Sequence, residues 1–118
     1  MPYVDGFLLQ IPKKNLPAYH HMARKAGKIW REYGALAYRE CAGDDLDTKF
    51  GISFSKVAKV KPGETVVLAW TVYKSRADRD RVNAKVMKDP RLAKIDPEAL
   101  PFNPRRMAYG GFKVLVDL

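Results

Sequence analysis

A ten-residue run in the second half of the chain constrains the fold more than any other feature. Residues 65–74 read TVVLAWTVYK, an almost uninterrupted series of apolar and β-favouring side chains. Such a run predicts a β-strand that is covered on both faces. Two sets of side chains alternate along it. We expect the first set to face the core and the second to face away from it: Val66, Leu68, Trp70 and Val72, then Val67, Ala69, Thr71 and Tyr73.

The remaining segments supply three more strands and two helices. Residues 3–11, 35–41 and 106–116 carry the aromatic, branched or alternating side chains that are typical of strands. Apolar residues recur every three or four positions between Asn15 and Gly34, which predicts a helix with Asn15 as its cap. A second helix follows the central strand.

The order of these elements predicts the fold class. Strand, helix, strand, strand, helix, strand is the βαββαβ pattern of the ferredoxin-like α+β fold, in which two helices cover one face of a four-stranded antiparallel sheet. The other face would then expose apolar side chains to water. A second copy of the same sheet would cover that face in the commonest oligomeric symmetry, so we expect a homodimer.

The length and net charge of the chain limit the number of domains and the kinds of partner that we expect. At 118 residues the chain has the length of one domain, which we place at residues 1–118. Its net charge of +9 raises the question of nucleic-acid binding, but the basic helices lack the interleaved aromatic side chains of a base-stacking platform, which disfavours such a partner. No stretch approaches the roughly 18 apolar residues that cross a bilayer. The single cysteine, Cys41, fits a reducing cytoplasm.

The strong signatures of cofactor and metal sites are missing from the sequence. It has no phosphate-binding glycine loop, dinucleotide fingerprint, nucleophile elbow or paired-cysteine zinc pattern. His20 and His21 point about 100° apart on a helix and cannot bind one metal together. We expect His20 to pack beside the apolar stripe, His21 to face solvent and Cys41 to be a small buried side chain. The sequence therefore predicts neither a metal nor a cofactor.

Two carboxylates occupy strand positions where burial is expected. Asp5 lies in the first strand on the side of Tyr3 and Phe7, and Glu40 lies in the second strand on the side of Tyr38. Buried carboxylates need partners, or their pKa rises. They are therefore candidate functional residues.

The second helix offers partners for these carboxylates. Arg79 and Asn83 stand one turn apart and can point toward the sheet. With nearby aromatic residues they would form a partly apolar pocket that holds a few polar groups, as small-molecule sites do. The candidate catalytic residues are Asp5, Glu40 and Arg79, and the candidate ligand-binding residues are Trp70, Tyr73, Tyr109, Tyr38 and Asn83. The alternative is a structural salt bridge beneath an aromatic core.

Four ordered blocks carry a family resemblance. They are YVDGF at residues 3–7, GALAYREC at 34–41, VYKSRADRDRVNAKVMKDPR at 72–91 and YGGFKVLVDL at 109–118. Together they resemble the YbaA-like family, a small bacterial family of unknown function. The resemblance implies the dimeric α/β-barrel superfamily, in which two ferredoxin-like sheets pack face to face. Because that superfamily includes cofactor-free monooxygenases, haem-degrading enzymes and small-ligand sensors, it implies a fold without a reaction.

These observations lead to one functional expectation and two alternatives. We expect a cytoplasmic homodimer that binds a small organic molecule between helices and sheet, and that could act on it as a cofactor-independent, monooxygenase-like enzyme. One alternative is a non-enzymatic module that binds RNA or another polyanion. The other is a purely structural homodimer. The sequence does not name a ligand or decide whether the protein is an enzyme.

Overall fold

The computed structural model describes residues 1–118 and contains one four-stranded antiparallel sheet. The strands are β1 (Tyr3–Pro12), β2 (Ala37–Ala42), β3 (Glu64–Tyr73) and β4 (Ala108–Lys113), and the helices are α1 (Leu16–Glu32), α2 (Phe54–Val57), α3 (Arg76–Met87) and α4 (Pro90–Ala93). The strands lie side by side in the order β2-β3-β1-β4. This arrangement confirms the predicted ferredoxin-like fold. None of the helices is both long and apolar enough to cross a membrane.

The register between β1 and β3 decides which side chains face the helices. Asp5 lies opposite Thr71, and Leu9 lies opposite Val67. Val67 packs beneath Tyr19 of α1, so this face of the sheet carries both long helices. The prediction for β3 was therefore inverted. The set expected to face away from the core is buried against the helices: Val67, Ala69, Thr71 and Tyr73.

The sizes of the side chains agree with this orientation. Ala69 lies in one cluster with Ala23 of α1, and two small side chains allow a helix and a strand to approach closely. The larger Leu68 and Trp70 project from the opposite face, which we call the open face. Because both sets on β3 are apolar, alternation alone does not tell which set meets the helices.

The core consists of two clusters between the sheet and the helices. One lies beneath α3 and the end of α1 and contains Tyr3, Ile29, Ala35, Tyr73, Val82 and Val86. The other lies beneath the start of α1 and contains Leu9, Ile11, Tyr19, Ala23, Val67 and Ala69. Both clusters draw on β1 and β3, the two central strands. These strands therefore form the base on which both helices rest.

The long loop before β3 covers one end of the open face. Residues 44–64, where the sequence allows a short helix or an irregular loop, contain the single turn α2. The buried Gln10 side chain donates from Nε2 to the carbonyl oxygen of Ala58, just after α2, at 2.6 Å. Farther along the same face, the side chains of Leu68 and Phe112 are 40% and 60% exposed. Most of the open face therefore has no cover within the chain.

Two local predictions need correction. Asn15 precedes α1, but its side chain makes no cap bond and instead donates to the carbonyl oxygen of Pro101 at 3.0 Å. In the last strand, the pair Gly110 and Gly111 predicts either a bulge or a close approach to the backbone. The pair continues the regular β1–β4 register, so it forms no bulge. The alternative interpretation, a close approach to the backbone, holds at Gly111, because the phenol of Tyr3 lies where a side chain would be.

The packing of α3 leads to a stability prediction. Val86 is fully buried, whereas the next residue, Met87, is 65% exposed. Val86→Ala removes two buried carbon atoms and leaves a cavity, so we expect it to lower the free energy of unfolding by about 2 kcal/mol. Met87→Ala should change it by less than about 0.5 kcal/mol. Urea unfolding measures both, and equal losses would contradict the described packing of α3.

Candidate functional site

A groove runs between α1 and β2 on the helix-bearing side of the sheet. Its volume is 1410 Å³, and its lining comes from α1, from β2 with the preceding Leu36, and from Val67 of β3. β2 is an edge strand, so no further strand closes this side of the sheet. We call this space the α1–β2 groove.

The groove-facing stripe of α1 combines small and basic side chains. Ala23 and Gly27 are buried and stand four positions apart, which leaves room between helix and sheet. His20, Arg24 and Lys28 repeat at the same spacing, are exposed and form the rim. His20 therefore lies at the edge of the groove and does not pack in the core, contrary to expectation, whereas the neighbouring position 21 is exposed as predicted.

Gly27 allows β2 to pass directly beneath α1. A Cβ atom at this position would lie 2.6 Å from Cδ1 of Tyr38, which is too close for any real contact. The Tyr38 ring therefore rests against the helix backbone. Its centroid lies 6.1 Å from that of the Trp30 ring, which belongs to the same helix. These contacts fix the direction in which the Tyr38 hydroxyl points.

Glu40 lies in the groove between two phenols. Its Oε1 accepts a hydrogen bond from the hydroxyl of Tyr19, and its Oε2 accepts one from the hydroxyl of Tyr38 at 2.6 Å. Burial and the neighbouring carboxylate raise the pKa of both tyrosines well above the ordinary value of 10.0. Both phenols therefore keep their protons and act as donors to Glu40.

Asp5 belongs to a second polar cluster, on the same face of the sheet but under α3. Its carboxylate lies 3.2 Å from Nη1 of Arg79 and accepts from Nδ2 of Asn83 at 3.4 Å. Arg79 also donates to the hydroxyls of Tyr3 and Tyr109. Arg79 and Asn83 thus contact Asp5, as their helical spacing predicts.

Asn83 joins this cluster to the aromatic core. Its Oδ1 accepts from Nε1 of Trp30 and from the hydroxyl of Tyr73, each at 3.0 Å. Its amide nitrogen is turned toward Asp5. Because both ends of the amide are occupied, the side chain has one orientation that satisfies its neighbours.

The ionisation of Asp5 is shifted by its surroundings. Only 1% of its surface is exposed. Burial raises the pKa of this carboxyl above its ordinary value of 3.8, although Arg79 and Asn83 act in the opposite direction. The charged form of Asp5 is therefore less favourable in the folded protein than in the unfolded chain.

The structure separates the two carboxylates that the sequence analysis placed in one pocket. Glu40 lies on β2 and Asp5 on β1, with β3 between them, so two strand spacings, about 10 Å, separate them across the sheet, and they pair with β3 two residues apart. Of the eight candidate residues, Glu40 and Tyr38 line the α1–β2 groove. Five others belong to the network around Asn83: Asp5, Arg79, Asn83, Tyr73 and Tyr109.

Trp70 lies apart from both clusters. It pairs with Gly6 and Arg39, and its side chain projects from the open face, opposite to Asp5 and Glu40. Its predicted place in the pocket wall is wrong, because the inverted orientation of β3 carries it to the other side of the sheet. Cys41 is likewise exposed, since β2 is an edge strand, and is not the buried side chain that we expected.

Sequence reasoning missed Tyr19 and Gly27 as site residues. Tyr19 belongs to the apolar stripe of the first helix, where it is expected in the core, and it is indeed buried. Its bond to Glu40 depends on tertiary structure, because the two residues are 21 positions apart. For Gly27, a glycine inside a helical pattern was the available signal, since it lowers helix stability and needs a packing reason.

Comparison with known sequences assigns the chain to a family. Residues 2–104 match the family model described as "Protein of unknown function (DUF1428)". The chain belongs to this family. The uncharacterized protein YbaA of Escherichia coli K12 is 39% identical over 117 residues, which cover 99% of each chain, and that of Shigella flexneri matches equally well. The YbaA-like resemblance is thereby confirmed.

Solved structures extend the comparison to the fold. Rv0793 from Mycobacterium tuberculosis matches with a TM-score of 0.60 and 14% identity over 99% of this chain and 98% of that one. A dimeric ferredoxin-like protein from an uncultured marine organism gives 0.59 and 14% over the whole of both chains. A NIPSNAP domain protein from Burkholderia xenovorans gives 0.58 and 14% over 95% and 93%. At this identity the matches establish the fold alone.

The contact between Gly27 and Tyr38 can be tested with a double-mutant design. In an ordinary helix, Gly→Ala stabilises by about 0.5–1 kcal/mol. Here the added methyl group would displace the Tyr38 ring, so we expect Gly27→Ala to lower the free energy of unfolding. In a Tyr38→Ala background the same change should raise it. Stabilisation by Gly27→Ala in both backgrounds would show that the ring does not rest on the helix.

The raised pKa of Asp5 predicts a pH dependence of known sign. The folded state holds the Asp5 proton more tightly than the unfolded chain does, so protonation of Asp5 stabilises the fold. This stabilisation is complete below the pKa of Asp5 in the unfolded chain, near 3.8, and is lost as the pH rises through its pKa in the folded protein. The unfolding free energy of the wild type minus that of Asp5→Asn should therefore decrease as the pH rises across this window. Urea unfolding between about pH 3.5 and 6.5 measures it. A difference that increases with pH would mean that Arg79 outweighs burial.

Proposed function

We propose that this protein binds a small organic molecule in the α1–β2 groove, with Glu40 as the polar centre of the site. One observation carries the proposal. Five carboxylates in the chain are buried or half-buried, and four of them form a salt bridge with an arginine: Asp5, Glu64, Asp78 and Asp89. Glu40 is the fifth and has only the hydroxyls of two tyrosines as partners.

A half-buried carboxylate without a cation is unfavourable unless another group compensates it. Two neutral phenols compensate part of the lost hydration, and about two of the four acceptor positions of the carboxylate remain free. A ligand with a hydrogen-bond donor would occupy them. A half-buried carboxylate with free acceptor positions beside an open groove can accept a further hydrogen bond from a bound molecule.

The shape and lining of the groove support the same proposal. Ala23 and Val67 give it a buried apolar floor, while Leu36 adds an exposed apolar side chain at its edge. Pockets for small molecules combine such apolar surfaces with a few polar groups. The volume of 1410 Å³ exceeds what a drug-sized molecule occupies. The groove can therefore take a compound of ordinary metabolite size.

Any cofactor-independent enzymatic activity would also centre on Glu40. A carboxylate and two protonated phenols are groups that can accept and donate protons at a bound molecule. In this proposal Glu40 takes the role of the candidate catalytic residue, whereas Asp5 and Arg79 hold α3 on the sheet.

The binding proposal can be tested by blocking the groove. Ala42 is an exposed residue at the β2 end of the lining, so Ala42→Trp should fill the groove with little effect on the core. Ala84→Trp places the same side chain on the exposed surface of α3 and serves as the control. We expect small organic fragments to shift the NMR signals of groove residues in the wild type and the control, and the shifts to vanish in Ala42→Trp. Fragments that bind all three proteins alike would refute the proposed site.

We further propose that a second copy of the chain covers the open face. Leu68 and Phe112 are exposed there, and Trp70 and Val72 are half-buried beside them. A continuous apolar surface of this kind marks an interaction site in a monomeric protein. One of the structures with this fold is described as dimeric, which supports the same assembly.

A single charge on the open face should separate the proposed subunits. Leu68→Glu introduces a carboxylate that would be desolvated in the interface without a partner, so we expect mainly monomers at micromolar concentration. Met87→Glu adds the same charge on α3 and should leave the dimer intact. Light scattering after size-exclusion chromatography measures the mass. A wild type that is monomeric, or a dimer that survives Leu68→Glu, would argue against this interface.

A further inference from the structure

Building on the proposed function, we infer that the ligand of the α1–β2 groove is an organic acid that also carries a hydroxyl group, with the hydroxyl on Glu40 and the acid group on Arg24. The inference comes from the two unlike polar regions of the groove. Glu40 can only accept hydrogen bonds while it is ionised, whereas Arg24 and Lys28 on the rim of α1 can only donate them. A ligand that satisfies both regions needs a donor at one end and an anion at the other.

The donor end is defined by the surroundings of Glu40. Its two oxygens already accept one bond each from Tyr19 and Tyr38, so the ligand group must be a hydrogen-bond donor that completes the set. A second carboxylate or a carbonyl oxygen would be repelled here. A hydroxyl group fits, because it can donate to Glu40 while remaining neutral beside the cations of the rim.

The anion end is defined by cations that have no partner in the chain. Arg24 and Lys28 line one side of the groove, and neither of them forms a salt bridge. Arg31 lies on the same stripe, but its guanidinium is held by the carbonyl oxygens of Ala35 and Leu36 at the end of the helix. Arg39 of β2 also lines the groove without a salt bridge, but its pairing with Trp70 places it on the open-face side of the strand. On the helix side, the free positive charge of the groove is therefore carried by Arg24 and Lys28.

The helix sets the distance between the two ends. The backbone positions of Arg24 and of Tyr19, whose hydroxyl donates to Glu40, are five residues apart, which corresponds to about 7.5 Å along the helix axis. A single aromatic ring with one substituent at each end spans a similar length. The buried side chains of Ala23 and Val67 lie between the two ends and provide an apolar floor for such a ring. The chemical class that fits best is a hydroxyaryl carboxylic acid.

The experiment compares three probes that differ in one group each. 4-Hydroxyphenylacetate has both groups, phenylacetate lacks the hydroxyl, and 4-hydroxyphenylacetamide lacks the charge. Dissociation constants come from titrations followed by NMR or calorimetry on the wild-type protein. A hydrogen bond to a charged group contributes enough that we expect each deletion to weaken binding about tenfold. This comparison needs no variant and so does not depend on the folding of one.

Variants then assign each preference to its residue. Glu40→Gln should reduce the preference for the hydroxyl, and the double change Arg24→Ala and Lys28→Ala should remove the preference for the acid over the amide. Lys25→Ala removes an exposed charge of the same helix that does not line the groove, and it should preserve both preferences. Circular dichroism confirms that each variant is folded.

The possible outcomes separate this inference from the proposed function. If the three probes bind equally, or if other fragments bind in the groove and none of these does, the inference is overturned while the groove remains a binding site. If nothing binds in the groove, both are overturned. The inference is supported if the tenfold advantage over phenylacetate falls at Glu40→Gln, if the tenfold advantage over the amide is lost in the double variant, and if Lys25→Ala keeps both.

Discussion

The pairing of β1 with β3 is the constraint on which the rest of the structure depends. Side chains alternate along a strand, so a shift of one residue would exchange the two faces of the sheet. With Asp5 opposite Thr71, the face under the helices holds Asp5, Val67 and Tyr73, and the open face holds Leu68 and Trp70. The polar network under α3, the floor of the groove and the surface offered to a second subunit all follow from this one register.

Asp5 and Glu40 show how the same functional group, a carboxylate, has different roles in one sheet. Asp5 lies on the central strand β1, beneath α3, where the Arg79 guanidinium, the Asn83 amide and neighbouring phenols surround its carboxylate. Its contacts close a network that joins β1 to α3. Glu40 lies on an edge strand, where the helix above leaves room because Ala23 and Gly27 are small. A carboxylate with only neutral partners, at an open edge, has capacity for a ligand that Asp5 lacks.

The sequence predicts the fold well and the site in part, for identifiable reasons. Periodicity, strand-favouring side chains and the order of elements lead to the ferredoxin-like fold, because each can be read directly along the chain. The orientation of β3 could not be read in the same way, since both of its faces are apolar. Because of this ambiguity, Trp70 was predicted on the helix-bearing face of the sheet, whereas it lies on the open face. The hydrogen bond between Tyr19 and Glu40 joins segments that are distant in sequence, so no local sequence pattern predicts it.

The central claim is that the α1–β2 groove is a ligand site centred on Glu40. A crystal structure of the protein soaked with a mixture of small organic fragments tests this claim most directly. We expect density between α1 and β2, over Ala23 and Val67, with a donor atom within hydrogen-bonding distance of the Glu40 carboxylate. A groove that is filled by side chains of a second subunit, with Glu40 in a salt bridge to one of them, would contradict it.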